Sequence, residues 1–234
     1  MSEPLQSVVA ARVPGAAALG LLAPPSAVVL PAVALADPAW TGAVLDERAQ
    51  RQGTPDRRVL ATVWWYSVSS VLLTPSLAGL VTGIPLSARL EDTAVAMLSG
   101  MQPVAAVSVA AGGEPAAELR ASIAAVVAAV AEAGRMRTRP LWAIATDSLA
   151  NRLLALGRAV GDVPRATGLA APLAAAIGSP LPVPRYEDVA GARFTRRSSC
   201  CLVDRLPGAQ LCASCPRRPP AERRVLLEDT AARM

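Results

Sequence analysis

All four cysteines of this chain lie in one short segment near its C-terminus. The segment carries an adjacent pair, Cys200 and Cys201, then ten residues, and then a Cys-x-x-Cys pair, Cys212 and Cys215. The surrounding residues, 185–220, are rich in arginine and show little of the apolar periodicity that builds a core. Because such a segment buries little apolar surface, it needs a disulfide or a metal centre to hold one conformation.

Three kinds of centre or crosslink fit four cysteines. A Cys-x-x-Cys pair places two thiolates on one metal centre, and a turn at residues 206–208 lets the adjacent pair fold back to complete four ligands. A Cys₄ zinc site usually joins two Cys-x-x-Cys knuckles, whereas an iron–sulfur cluster accepts a wider choice of spacing. Two disulfides would require an oxidising compartment. From spacing alone the cluster and zinc interpretations rank about level, and disulfides come third.

The rest of the chain has the composition of a helical protein. Hydrophobic residues make up 53% of the 234 residues but aromatic residues only 3%, so much of the apolar content is Ala, Val and Leu. We therefore predict an α+β fold, with a predominantly α-helical body, a few short strands and a small C-terminal module. The proline-rich linker 178–184 predicts a division into a helical body, residues 1–184, and a cysteine module, residues 185–234.

Apolar periodicity and the positions of Gly and Pro predict individual elements. Predicted helices cover about residues 56–73, 85–98, 114–134, 147–160 and 164–177, a β-prone run covers 104–109, and a second short apolar run covers 141–145. Thr54 is the expected N-cap of the first of these helices, and Asp147 that of the fourth. Glu118 is expected on the wetter face of helix 114–134.

The chain contains no histidine, which excludes a Ser-His-Asp or Cys-His triad and any His-ligated zinc or haem site. Every basic residue is arginine, and the formal net charge is +5. Such a balance suits nucleic acid, a membrane surface or an anionic small molecule. The basic residues are not interleaved with aromatic ones as single-stranded nucleic acid requires, so we expect no nucleic-acid partner.

Two long uncharged stretches are candidates for membrane segments. Residues 13–36 end in Ala34-Leu35-Ala36, which resembles a signal-peptidase site, but prolines interrupt the stretch. Residues 59–88 exceed the roughly 20 residues that span a bilayer, but their Ser, Thr and Pro content is typical of a buried helix followed by a turn. We therefore expect a cytoplasmic protein, with peripheral contact with the inner membrane left open.

The cysteine segment resembles the C-terminal signature of the FhuF-type ferric siderophore reductases. That family has a Cys-Cys, ten residues, Cys-x-x-Cys arrangement near the chain end, arginines before the first cysteine and an Arg-Leu-Pro turn inside the spacer. Here these features fall on Arg196 and Arg197 and on Arg205, Leu206 and Pro207. The resemblance implies that a [2Fe–2S] cluster is bound by Cys200, Cys201, Cys212 and Cys215.

The same resemblance implies an activity. It identifies the chain as an oxidoreductase that gives one electron to a ferric siderophore and releases Fe(II), which binds hard oxygen donors far less tightly. A reduced donor such as a ferredoxin or flavoprotein would supply the electron. Upstream, residues 64–75 and 83–86 look similar to the helical domain of the family. The alternative is a zinc-stapled Cys₄ binding or scaffold protein without redox activity.

Arginines near the motif and aromatic residues in the apolar helices are further candidates for a role at the site. Six arginines between residues 193 and 218 face Asp204 alone in that window, a surplus that favours a reduced cluster or an anionic partner. Trp64, Trp65 and Tyr66 are interpreted as core rather than as an aromatic wall for a siderophore. No catalytic residue is predicted.

Overall fold

The computed structural model describes residues 5–234. The helices in this range are α1 (Leu5–Ala11), α2 (Pro38–Gln52), α3 (Arg57–Leu72), α4 (Thr74–Thr82), α5 (Pro115–Ala133), α6 (Thr138–Ala159), α7 (Val163–Gly168), α8 (Ala170–Ile177) and α9 (Pro220–Ala232). The strands are β1 (Val28–Pro31), β2 (Thr93–Leu98), β3 (Gln102–Ser108), β4 (Tyr186–Val189) and β5 (Ala192–Thr195). About 53% of the chain is helical and about 12% lies in short strands, which confirms the predicted α+β, mainly helical fold class.

Helix α3 begins one residue later than predicted, and its cap differs. The Asp56 carboxylate accepts the backbone N–H groups of Arg58 at 3.0 Å and Val59 at 3.1 Å. Asp56 is therefore the N-cap, and the prediction of Thr54 is wrong. The Thr54 hydroxyl instead accepts the N–H of Asp56 itself, at 3.3 Å. The predicted break at Thr74-Pro75 is confirmed, because α3 ends at Leu72 and a separate helix, α4, begins at Thr74 with Pro75 in its first turn.

Residues 85–98 do not form the predicted helix. Residues 93–98 are strand β2, which pairs antiparallel with β1 on one side and with β3 on the other. Thr93, Val95, Ala96 and Met97 are all buried, because β2 is the middle strand of the sheet, between β1 and β3. A run this short is ambiguous by period alone, and the pairing with two neighbours decides its conformation. The β-prone run 104–109 is confirmed as β3.

The apolar run 141–145 is part of a helix that begins well before the predicted start at Asp147. Helix α6 starts at Thr138, so Asp147 lies in the middle of it and does not cap it. Leu141, Ile144 and Ala145 are all buried because α6 packs against several other helices, among them α3 and α5. The predicted helix 164–177 is divided into α7 and α8.

Both tryptophans of α3 are fully buried in the core, as predicted. The indole N–H of Trp65 donates to the backbone carbonyl of Leu141 at 2.7 Å, which fixes α3 against α6. Helix α6 is therefore held firmly on one side. Its other side faces the C-terminal segment.

The β4–β5 hairpin packs on α6 and on α9. The Tyr186 hydroxyl donates to the carbonyl of Ala150 at 3.0 Å, and Val189, Phe194 and Leu227 form a small separate apolar cluster. Because β5 packs on α6, the residues that follow β5, from Arg196 onwards, begin beside α6. The division of the chain at residues 184 and 185 stays a prediction.

The two uncharged stretches have different structures. Residues 59–88 are shared between α3, α4 and the following loop, and residues 13–36 contain turns, β1 and a 3₁₀ turn. Within residues 5–234, no helix combines the length and the apolar character that a bilayer crossing requires.

Glu118 is not on the wetter face of α5, because its side chain is only 6% exposed. Its carboxylate accepts the N–H of Ala88 at 3.0 Å and the N–H of Gly113 at 3.1 Å, and lies 3.6 Å from the Arg89 guanidinium. Burial raises the pKa of Glu118, but these hydrogen bonds and Arg89 outweigh it and hold the pKa below its ordinary value of 4.5. Glu118 therefore joins α5 to the loop that precedes β2 and to the loop that follows β3.

We expect Glu118→Ala to lower the free energy of unfolding at neutral pH by about 2–3 kcal/mol, because the backbone N–H groups of Ala88, Gly113 and Glu114 lose a charged acceptor. Glu132→Ala, at an exposed position of the same helix, is the control and should change it by less than about 0.5 kcal/mol. Because the native pKa of Glu118 is depressed, its contribution is complete above the ordinary value of 4.5 and is lost as the pH falls through the native pKa. Urea unfolding across this pH range would contradict the account if the loss stayed constant into acid.

Candidate metal centre

The four cysteines line one cavity of about 180 Å³, together with Tyr66 and Arg197. The sulfurs of Cys200 and Cys215 are 3.7 Å apart, and all four cysteines are free thiols. Cys201 and Cys215 are buried, whereas Cys212 is exposed. The structure thus brings together the four predicted ligands beside the protein surface, and their role as ligands stays a prediction.

Local backbone turns produce this convergence. The turn predicted at residues 206–208 is present, with the N–H of Ala209 donating to the carbonyl of Leu206 at 3.1 Å. The Cys-x-x-Cys pair closes its own turn, since the N–H of Cys215 donates to the carbonyl of Cys212 at 3.1 Å. Leu202 follows the adjacent pair with a φ of 59°, a left-handed conformation that is uncommon for a residue with a side chain.

The unusual conformation of Leu202 has a use at the centre. It directs the N–H of Leu202 to the sulfur of Cys200, at 3.4 Å. This contact places the positive partial charge of an N–H beside a sulfur that is negative when it binds a metal.

Asp147 anchors the start of the cysteine segment to α6. Its carboxylate accepts the backbone N–H groups of Ser198 at 2.6 Å and Ser199 at 3.1 Å, directly before the first cysteine. It also pairs with Arg197 at 3.4 Å, and the two side chains are only 1% and 3% exposed. Burial raises the pKa of Asp147, while the hydrogen bonds from Ser198 and the charge of Arg197 oppose that rise.

Arg197 connects this anchor to the sulfurs. Its Nη1 lies 3.5 Å from the sulfur of Cys201 and 3.4 Å from that of Cys212, and its guanidinium carbon lies 5.0 Å from the centre of the Tyr66 ring. Burial lowers the pKa of Arg197, but Cys201, Tyr66 and Asp147 together outweigh that effect and raise the pKa, so the side chain stays charged. A fixed cation at this place compensates negative charge on the thiolates.

The donor set fits an iron–sulfur cluster. Soft thiolates select iron–sulfur clusters or zinc, and the 3.7 Å between two sulfurs is close to the edge of about 3.8 Å in a tetrahedral site with metal–sulfur bonds of about 2.3 Å. Cys200 and Cys215 contact each other, whereas Cys201 and Cys212 contact the same Arg197 nitrogen, so the thiols form two pairs.

Two further observations bear on the fit. The buried Nη2 of Arg197 has no partner in the part of the chain that the structure describes, so a donor is available beside the cysteines. Within residues 5–234, no three Cys, Asp or Glu side chains are grouped closely enough to hold one metal ion. The thiols therefore surround a cavity in pairs instead of converging on a single point.

The arginine surplus of the sequence window is smaller in three dimensions. Five of the six arginines pair with carboxylates, and three of the four carboxylates lie outside the window: Arg193 pairs with Asp188, Arg197 with Asp147, Arg205 and Arg217 with Asp204, and Arg218 with Glu222. Of the six, Arg197 reaches two sulfurs. The positive charge that acts on the centre is therefore concentrated in few side chains.

Asp147 and Tyr66 are the residues that sequence reasoning did not assign to the site. Asp147 was interpreted as a helix cap, because the start of α6 was placed too late. One signal pointed to it: a carboxylate inside a long apolar helix needs a partner when it is buried. Tyr66 was interpreted as core, and nothing in the sequence separates it from its buried neighbours Trp64 and Trp65.

Comparison with known families identifies this segment. A family model described as the FhuF 2Fe-2S C-terminal domain matches residues 197–217, a range that starts at the anchoring arginine and contains all four cysteines. The match confirms the FhuF-type resemblance of the segment and the [2Fe–2S] cluster as the cofactor that such a domain binds. A comparison with curated proteins finds no match.

We expect Asp147→Asn to destabilise the protein by about 3 kcal/mol or more and to lower its iron content. The change leaves Arg197 buried without its counter-charge and turns an amide group towards backbone N–H groups. Asp188→Asn removes an exposed partner of Arg193 and should cost less than about 1 kcal/mol. Guanidinium unfolding with iron determination on both variants measures the difference, and equal losses in the two would contradict the anchoring role.

We expect Arg197→Gln to lower the reduction potential of the centre by about 50–100 mV, which is about 1–2 kcal/mol for one electron. The change removes a buried positive charge beside two sulfurs, and that charge favours the more negative, reduced state. Arg197→Lys keeps the charge and should recover most of the shift.

Arg196→Gln is the matched control, since Arg196 is exposed and adjacent in the chain. Redox titrations followed by electron paramagnetic resonance compare the four proteins. An equal shift from Arg196→Gln would show that general charge, and not the buried contact, sets the potential.

Proposed function

We propose that this chain, whose residues 197–217 form a FhuF-type [2Fe–2S] domain, is a ferric siderophore reductase. The observation that carries the proposal is the position of the four cysteines around one surface-near cavity inside the matched segment. Cys200, Cys201, Cys212 and Cys215 would hold the cluster. When bound, the cluster supplies single electrons without a proton relay.

The chain's own residues set the conditions for this chemistry. Asp147 holds the backbone before the first cysteine, and Arg197 and the N–H of Leu202 stabilise negative charge on three of the sulfurs. Exposure of Cys212 leaves one edge of the site open to an outer reactant, so an electron need not cross a thick protein layer. None of these roles requires a histidine, and the chain has none.

Reduction explains how such a protein would free iron. A siderophore binds Fe(III) through hard oxygen donors, and one added electron gives Fe(II), which those donors hold far less tightly. We propose that a ferredoxin or flavoprotein supplies the electron and that the reaction takes place in the cytoplasm. Free thiols are the usual state of cysteine in that compartment.

We expect ferric siderophores to reoxidise the dithionite-reduced, desalted holoprotein, with about one Fe(II) released per chain for a one-electron centre. Stopped-flow absorbance follows the centre while a ferrous chelator reports the released iron. Cys212→Ser should lose both signals because a ligand is missing, and Ser214→Ala, inside the same Cys-x-x-Cys turn, should keep both. A reduced holoprotein that ferric siderophores reoxidise no faster than buffer does would contradict the proposed function.

A further inference from the structure

Two adjoining cavities lie next to the cysteine segment at the start of α3. The first, of about 440 Å³, is lined by Thr54, Asp56, Arg58, Val59, Leu202 and Arg205. The second, of about 360 Å³, is lined by Arg58, Arg135, Met136, Arg137 and Pro140. Because Arg58 lines both, we treat them as one surface feature, the arginine groove.

The arginine groove carries a positive charge that the protein does not neutralise. Arg58, Arg135 and Arg137 are exposed and form no ion pair with any other residue of the range 5–234. Arg205 is 59% exposed and lies 3.9 Å from Asp204. Arg217 holds the same Asp204 carboxylate more closely, at 2.6 Å.

One acidic residue lines the groove, and it is already engaged. The Asp56 carboxylate accepts two backbone N–H groups as the N-cap of α3. The groove is therefore lined by four arginines, Arg58, Arg135, Arg137 and Arg205, against this one carboxylate. Guanidinium groups bind oxygen anions through paired N–H donors, so the groove is suited to a ligand with several anionic oxygens.

The groove and the cysteine cavity are both lined by residues of the segment 202–205. Val203 and Asp204 line the cysteine cavity, whereas Leu202 and Arg205 line the groove. Leu202 directly follows Cys201, and its N–H donates to the sulfur of Cys200 at 3.4 Å. A molecule in the groove thus lies one residue away from two of the predicted ligands.

We propose that the arginine groove is the substrate site and that it selects ferric complexes with a net negative charge. This inference rests on the proposed function, and it adds a place and a chemical class to the substrate. Arg58 and Arg205 flank the end nearest the cysteines, and Arg135 and Arg137 extend the positive surface away from them. A ferric complex bound there would accept one electron from a reduced [2Fe–2S] centre held by the four cysteines, so that Fe(III) would become Fe(II) and the centre would be oxidised by one electron.

The shape of the groove favours a small molecule over an acidic protein partner. Each cavity has the volume of a small-molecule site, for which about 300–1,000 Å³ is typical. A protein partner would use a broad, flatter area with apolar residues at its centre. The side chains lining the groove are instead mainly charged or polar.

Binding can be measured without electron transfer by using gallium(III), which matches ferric iron in charge but is not reduced. The probes are a trianionic gallium tris-catecholate and a neutral gallium tris-hydroxamate, titrated calorimetrically into oxidised holoprotein at low ionic strength. We expect Arg58→Gln with Arg205→Gln to weaken binding of the trianionic probe about tenfold or more, and binding of the neutral probe less than about twofold.

The matched control removes the same charge elsewhere. Arg224 and Arg233 lie on α9 in exposed pairs with Glu228 and Asp229, so the double change Arg224→Gln with Arg233→Gln leaves the groove intact. We expect this control to weaken trianionic binding less than about threefold, through long-range charge only. An equal loss in both double variants, or no preference of the wild type for the trianionic probe, would overturn the proposed site.

Further measurements separate the groove from the proposed function. If gallium binding depends on Arg58 and Arg205 but ferric complexes do not reoxidise the reduced wild type, the reductase proposal fails and the anion site remains. If reoxidation occurs with KM values that the groove variants leave unchanged, the reductase proposal stands and the groove is not its substrate site. Slower reduction by an acidic [2Fe–2S] ferredoxin, with unchanged gallium binding, would overturn the proposal in favour of donor docking. Unchanged absorption and iron content in each variant show that the centre itself is intact.

Discussion

The buried pair of Asp147 and Arg197 is the interaction on which the cysteine site depends. It joins the middle of α6 to the backbone that precedes Cys200, and both side chains are almost fully removed from water. Two desolvated charges do not by themselves add much stability, because the loss of hydration offsets their attraction. Here the pair fixes the position of the backbone before Cys200, since the N–H groups of Ser198 and Ser199 donate to the same carboxylate.

This arrangement also explains how a segment with almost no core of its own is held in place. The apolar cluster of the C-terminal part is small and consists mainly of Val189, Phe194 and Leu227. Hydrogen bonds to α6 and the contacts of Arg197 with sulfur supply the remaining order. A metal centre would add further order to this segment, because four ligands bound to one cofactor hold a loop in place where apolar burial is insufficient.

The sequence was most informative where chemistry is local. The turn at 206–208 and helix α5 depend on near neighbours in the chain, and both were predicted. The errors at 85–98 and at the start of α6 have a common cause: short apolar runs do not distinguish strand from helix, and packing partners far away in the chain decide. The role of Asp147 depends on contacts some fifty residues away, and the arginines find three of their counter-charges outside the window in which they were counted.

The central claim is that the four cysteines hold two irons in one cluster. The most direct measurement is the content of iron, acid-labile sulfide and zinc in anaerobically purified protein, with an electron paramagnetic resonance spectrum after dithionite reduction. The account predicts about two irons and about two sulfides per chain, and a signal with an average g below about 2 that is absent before reduction. A colourless protein with about one zinc per chain and no signal would contradict it and leave the cysteines as a structural staple.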